Sequence, residues 1–147
     1  MKFSFKNDYS EGCHPKILEA LSQYNLDQQN GYGLDIYSEN AANIIREKSK
    51  SPESKVHLVS GGTQANLIVI SSILRPHESV VSANTGHIFT NETGAIEATG
   101  HKVHGVETKD GKLRPEDIQN VLDVHTNVPH QVKQKLVYIS NSTEVGT

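Results

Sequence analysis

Ser60-Gly61-Gly62-Thr63-Gln64-Ala65-Asn66 joins a short apolar run at 56–59 to a longer one at 64–74. A strand giving way to a helix through Gly-Gly is the unit from which layered α/β folds are built. Two glycines let the backbone turn tightly and leave its N–H groups uncovered by side chains. The start of the following helix offers unpaired donors and the positive end of a dipole, which together favour an anion such as phosphate. Thr63 adds a hydroxyl. No lysine stands where a nucleotide P-loop needs one, and the spacing does not match GxGxxG. An ordinary strand–helix turn would also use Gly-Gly, so the motif alone leaves both readings open.

Working outward, the rhythm of strand and helix continues. The run 64–74 is apolar on several sides, which predicts a helix buried on more than one face. A strand is expected at 79–83, a helix at 91–99 with Gly100 at its C′ position, and a strand at 102–107. Asp110-Gly111 turns the chain, and Pro115 opens a helix reaching about Val124. Lys135–Ser140 (KLVYIS) reads as the next strand. Towards the N-terminus, Pro15 opens a helix with Ile17, Leu18, Ala20 and Leu21 on one face. Residues 25–35 read as loop, and Ala41, Ala42, Ile44 and Ile45 mark a further helix. Strands separated by helices predict an α/β fold with a mainly parallel sheet covered on both faces. Ligands in such sheets lie at the strand C-terminal ends. Three segments are therefore candidates: 60–66, 84–92 and 141–147.

Composition sets limits on function. The 147 residues carry a formal net charge of −3, with 35% hydrophobic and 21% charged residues. That balance fits a soluble globular protein, with no basic surface for nucleic acid. No apolar run approaches membrane-spanning length, and the N-terminus lacks a signal-peptide core. The single Cys13 cannot form an internal disulfide, so a cytoplasmic setting is expected. His101 and His104, three apart in an expected strand, point to opposite faces, and no metal site is predicted.

The residues around the Gly-Gly turn extend the pattern into a resemblance. Ser/Gly-Gly-Thr-x-x-Asn before an apolar helix resembles the cofactor-phosphate loop of the threonine aldolase and beta-eliminating lyase family. Asn7-Asp8 is similar to that family's N-terminal Ser-Asp, and Tyr32-Gly33-Leu34-Asp35 to its Tyr-Gly-x-Asp loop. Gly86-His87-Ile88-Phe89-Thr90-Asn91-Glu92 resembles its Ser-His-Ile-Phe-x-x-Glu segment. Gly94-Ala95 and Thr99-Gly100-His101-Lys102 continue the match, so that it spans essentially the whole chain.

The resemblance implies a fold-type-I enzyme using pyridoxal 5′-phosphate (PLP), with residues 1–147 as the incomplete N-terminal part of its large domain. Within it, 1–50 would be a helical segment with loops and 51–147 the βαβ portion of the sheet. By the same resemblance Gly61, Gly62 and Thr63 would hold the cofactor phosphate, and His87 would stack on the pyridine ring. Gly61 stands where many members have Ser, so one side-chain contact to phosphate is expected to be missing. Asn66 is expected to cap or pin the loop. His87 and Glu92 would serve catalysis, with Glu92 positioning a water or a histidine; a helix N-terminal acid is the competing account of Glu92. Asn7, Ser10 and Tyr32 would meet the substrate, Tyr32 from a loop resembling one that crosses a subunit interface.

The implied reaction is cleavage of a beta-hydroxy amino acid, threonine or allo-threonine, to glycine and an aldehyde, in a homodimer or homotetramer. Another PLP beta-eliminating amino-acid lyase, a non-catalytic remnant and a generic nucleotide binder are the alternatives. The cofactor-linking lysine and the ring-nitrogen acid lie, in the family, beyond the position matching Thr147. Lys102, Lys109, Lys112, Lys133 and Lys135 do not fall in that lysine's context. The chain by itself is accordingly expected to be inactive and poorly stable.

Overall fold

The computed structural model describes residues 4, 7 and 9–147. It divides into two compact units, Met1–Leu58 and Val59–Thr147.

The first unit carries two helices. α1 (Pro15–Tyr24) begins with proline in its first turn, and the His14 ring accepts from Lys16 N–H at 3.2 Å. α2 (Ile36–Lys48) is capped by Asp35, whose carboxylate accepts from the Ser38 amide and hydroxyl, each at 2.7 Å. Those bonds stabilise the charged form, and they lower the Asp35 pKa. Tyr24 and Tyr37 meet with ring centroids 5.4 Å apart, and Tyr37 donates to Asp27. That bond holds the phenol's proton and pushes Tyr37 up to about 12.

In the second unit α3 (Gly62–Ile73) leads into β1 (Glu78–Ala83), the central strand of a three-stranded parallel sheet. β2 (Val103–Val106) lies on one side, with Val80 opposite Val103. β3 (Lys133–Val137) lies on the other, with Val81 opposite Val137. Between β1 and β2 the chain forms the short α4 (His87–Thr90) and a 3₁₀ turn at Glu97–Thr99. α5 (Pro115–Val124) connects β2 to β3. One sheet face packs Ile70, Leu74, Val80, Ile88, Ile96 and Val103 into the core. On the other, His104 meets His125, the C-cap of α5, edge to face, with centroids 4.6 Å apart.

Four expectations change. Residues 56–59 form no ladder, because no described strand pairs with them and an isolated strand leaves its backbone groups unpartnered. The helix expected at 91–99 is broken, since Thr93 and Gly94 take φ of 55° and 76°, outside any right-handed helix. α3 buries Ile70 on a single face; Ile68, Val69 and Ile73 remain about half exposed. β3 starts and ends before the expected 135–140, because Glu78 of β1 sets the register against Lys133.

The His104 ring, 8% exposed, carries a stability signature. Burial, with Lys102 and His125 adding like-charge repulsion, pushes its pKa down to about 4. Gln134 faces its Nε2 at 3.2 Å. The folded state therefore favours the neutral ring, while the unfolded chain takes up a proton near pH 6.5. The contribution is fully present above pH 6.5 and is lost as pH falls towards 4, amounting to about 3 kcal/mol at most. Denaturant titrations at pH 7 and pH 4.5 should show this loss in the wild type and a smaller one in His104→Gln; equal losses would remove the assignment.

Candidate active site

The Gly-Gly turn is built without help from a side-chain cap. Gly61 precedes α3 in ordinary extended backbone (φ 174°, ψ 175°), and among the described residues no side chain caps the helix. Gln64 pins the turn instead, its Oε1 accepting from the Ser60 amide and hydroxyl at 2.8 Å each. Asn66, expected to hold this loop, reaches elsewhere. A Cβ on Gly61 or Gly62 would meet no described heavy atom within 4 Å. Neither packing nor an unusual φ within the chain therefore demands glycine there. Open space over uncapped amides at the start of a 12-residue helix, with Thr63 beside it, is the donor set an anion requires.

α4 holds His87 at the C-terminal edge of the sheet. Ile88, 2% exposed, anchors the helix in the core, which leaves its neighbour His87 turned outward with a side chain 39% exposed. Two glycines allow the close approach. A Cβ on Gly86 would lie 2.2 Å from Ser82 Oγ, and one on Gly105 would lie 2.5 Å from the Phe89 ring.

Two unlike carboxylates flank the His87 ring. Glu92 Oε1 is 3.9 Å from Nε2, and Glu144 Oε1 is 3.4 Å from Nδ1. The Glu92 side chain is fully buried; that of Glu144 is 32% exposed. Asn66 Nδ2 donates to Glu92 Oε1 at 2.6 Å, while Glu92 Oε2 is buried with no hydrogen-bond partner among the described residues. Glu92 is thus no helix N-terminal acid, because the helix that would need one is not there.

Glu144 belongs to the loop after β3. That loop folds back on the Asp110-Gly111 turn, where Thr147 Oγ1 donates to the Asp110 carbonyl. A Cβ on Gly111 would lie 3.0 Å from both Thr143 and Val145, and its φ of 76° suits glycine. A cavity of about 270 Å³ opens between the ends of β1 and β3, with Gly86, Tyr138, Ser140 and Glu144 among its lining. Sequence reasoning directed attention to 141–147 but not to Glu144 itself; an acid in a post-strand loop was the available signal.

The remaining candidates lie in the first unit. Asn7 Oδ1 accepts from the Ser10 hydroxyl at 2.6 Å and from the Tyr9 amide at 3.1 Å, a local turn. Asp8 is outside the described residues. Tyr32 is fully exposed with φ of 63°, at the rim of a cavity of about 530 Å³ that includes Arg46 and His57. Of the expected site residues, the second unit joins His87 to Glu92 directly and, through Asn66, to the helix that begins at Gly62.

No helix among the described residues is long and apolar enough to cross a membrane. Comparison with known proteins agrees with the resemblance read from the sequence. A low specificity L-threonine aldolase of Pseudomonas aeruginosa is 28% identical over 145 residues, covering 97% of this chain and 41% of that protein. One from another Pseudomonas is 30% identical with the same coverage. The threonine aldolase structure from Leishmania major superposes with a TM-score of 0.90 at 53% identity, over 96% of this chain and 41% of that one. The chain thus spans about two fifths of the length of these relatives, and its α/β fold is theirs. The model of the beta-eliminating lyase family matches residues 9–147, and the chain belongs to that family.

Proposed function

We propose that the full-length protein is a PLP-dependent lyase of the threonine aldolase type. It would cleave a beta-hydroxy amino acid to glycine and an aldehyde. The observation that carries this reading is the His87 ring held between two carboxylates, with Glu92 tied by Asn66 to the helix whose first turn is open and uncapped. The relatives named as L-threonine aldolases support the substrate class.

In this reading the amides of the α3 first turn and the Thr63 hydroxyl hold the cofactor phosphate. His87 presents its flat ring to the pyridine face. When bound, PLP supplies an electron sink for the pair released as the Cα–Cβ bond breaks. His87 takes up or returns a proton at a ring nitrogen, an imidazole's ordinary task in acid–base catalysis. Glu92 faces Nε2 from a fixed, buried position, and Glu144 faces Nδ1 from the cavity side. By the family resemblance Asn7, Ser10 and Tyr32 would be substrate contacts. The lysine that joins the cofactor aldehyde and the acid at the ring nitrogen would come from outside residues 1–147. Those residues alone would then be inactive, and the working form would be a homodimer or homotetramer in the cytoplasm.

Product analysis tests the reaction class. Full-length protein incubated with PLP and threonine or allo-threonine should release acetaldehyde and glycine in equal amounts. Release of ammonia and a keto acid instead would assign a different beta-eliminating lyase.

A further inference from the structure

We propose that Asn66 is a positioning residue for His87, acting through the buried carboxylate of Glu92. The inference rests on reading His87 as the ring-facing residue of the PLP site.

Asn66 lies in the second turn of α3, directly after the turn that carries Gly62 and Thr63. Its amide crosses to a residue 26 positions along the chain and donates to Glu92 Oε1 at 2.6 Å. That same oxygen faces His87 Nε2 at 3.9 Å. A buried carboxylate favours whatever orientation brings an oxygen to a donor, since an unpaired charge is costly there. With Oε2 unpartnered among the described residues, the Asn66 amide is the described bond that holds Oε1 towards His87. The chain Asn66–Glu92–His87 therefore links the start of α3, where an anion would seat, to the ring nitrogen.

The two sides of His87 differ in kind. Glu144, on Nδ1, is partly exposed. Glu92, on Nε2, is enclosed and fixed by Asn66. At 3.9 Å Glu92 acts on Nε2 by its charge and not through a hydrogen bond, and Glu144 lies nearer its own nitrogen at 3.4 Å. Any bias towards Nε2–H therefore depends on Asn66 holding Oε1 turned to the ring. A purely structural Asn66 would satisfy a buried charge and leave that bias untouched.

The test uses full-length wild type, Asn66→Ala, Glu92→Gln and the double variant, each read in two ways. The first is the ¹⁵N signature of the His87 ring in cofactor-free protein, which reports the tautomer ratio without any turnover. Asn66→Ala and Glu92→Gln should each move that ratio away from Nε2–H by about threefold or more, and the double variant no further than Glu92→Gln. The second is steady-state kinetics with PLP. Asn66→Ala should lower kcat about tenfold with KM for the amino acid changed less than about twofold. In the Glu92→Gln background, removing Asn66 should change kcat by less than about twofold.

A lowered melting temperature with an unchanged tautomer ratio would reduce Asn66 to a structural role and overturn the proposal. So would an Asn66→Ala effect that persists in full when Glu92 is already glutamine. Should Asn66→Ala fold poorly, Glu92→Gln alone decides: an unaltered His87 ratio in that variant removes the route through Glu92. A full-length protein that neither binds PLP nor releases aldehyde would refute the lyase reading while leaving the ring measurement to judge Asn66.

Discussion

His87→Ala in the full-length protein is expected to lower kcat/KM for threonine cleavage by about 10²- to 10⁴-fold, the range a positioned acid–base group supplies. Two effects combine. The variant removes the flat face expected against the cofactor ring and the proton carrier between Glu92 and Glu144. The fold should survive, because Ile88 and not His87 anchors α4 in the core, and the His87 side chain is 39% exposed. A melting temperature within a few degrees of wild type, with the activity loss, is the expected pair of results. His87→Phe separates the two contributions: it restores a flat ring without a proton, so it should recover cofactor binding more than turnover. Full activity in His87→Ala would remove His87 from the mechanism.

Gly62→Val is expected to weaken PLP binding by about 10- to 100-fold with little change in stability. The structure makes this an unusually clean substitution. A Cβ at Gly62 meets no described atom within 4 Å, and Gly62 is not among the positive-φ glycines. It is the first residue of α3, where replacing glycine costs helix stability nothing and removes backbone freedom from the unfolded chain. A loss of affinity in Gly62→Val therefore reports what approaches the turn from outside. Displacing one charge-assisted hydrogen bond costs about 1.5–3 kcal/mol, which is the stated fold-change. Spectroscopic titration of PLP into wild type and variant measures it, with thermal melts as the control.

The elements set by local chemistry were readable from sequence. Pro15 and Pro115 start α1 and α5 where their fixed φ predicts, and β1 falls on the apolar 79–83 run. Gly100 does take the left-handed cap, although the helix before it is a 3₁₀ turn. Other features depend on what meets what. The run at 56–59 has strand composition, yet a strand exists only with a partner beside it. Hydropathy along α3 is apolar on several sides and does not say which face meets the sheet; the core takes Ile70, while Ile68 and Ile73 stay about half exposed. Thr93 is the sharpest case: a non-glycine residue with positive φ breaks the expected helix at 91–99, and composition gives no warning of it.

The site divides in the same way. His87, Glu92 and the Gly61–Thr63 turn lie within short motifs and could be named from sequence. Asn66 meeting Glu92, and Glu144 meeting His87, are contacts between residues far apart in the chain that the parallel sheet brings together. The sequence placed Asn66 beside its own loop because local partners are the default for Asn. Gln64 fills that local role, which leaves the Asn66 amide for Glu92.

The central claim is that residues 60–92 form the phosphate and ring-facing part of a PLP site. Its most direct measurement is binding of PLP against pyridoxal, the same ring without the phosphate, to the full-length protein. PLP should bind at least about 100-fold more tightly than pyridoxal, and Gly62→Val should remove most of this difference. Equal binding of the two in the wild type, or a preference for PLP untouched by Gly62→Val, would contradict it.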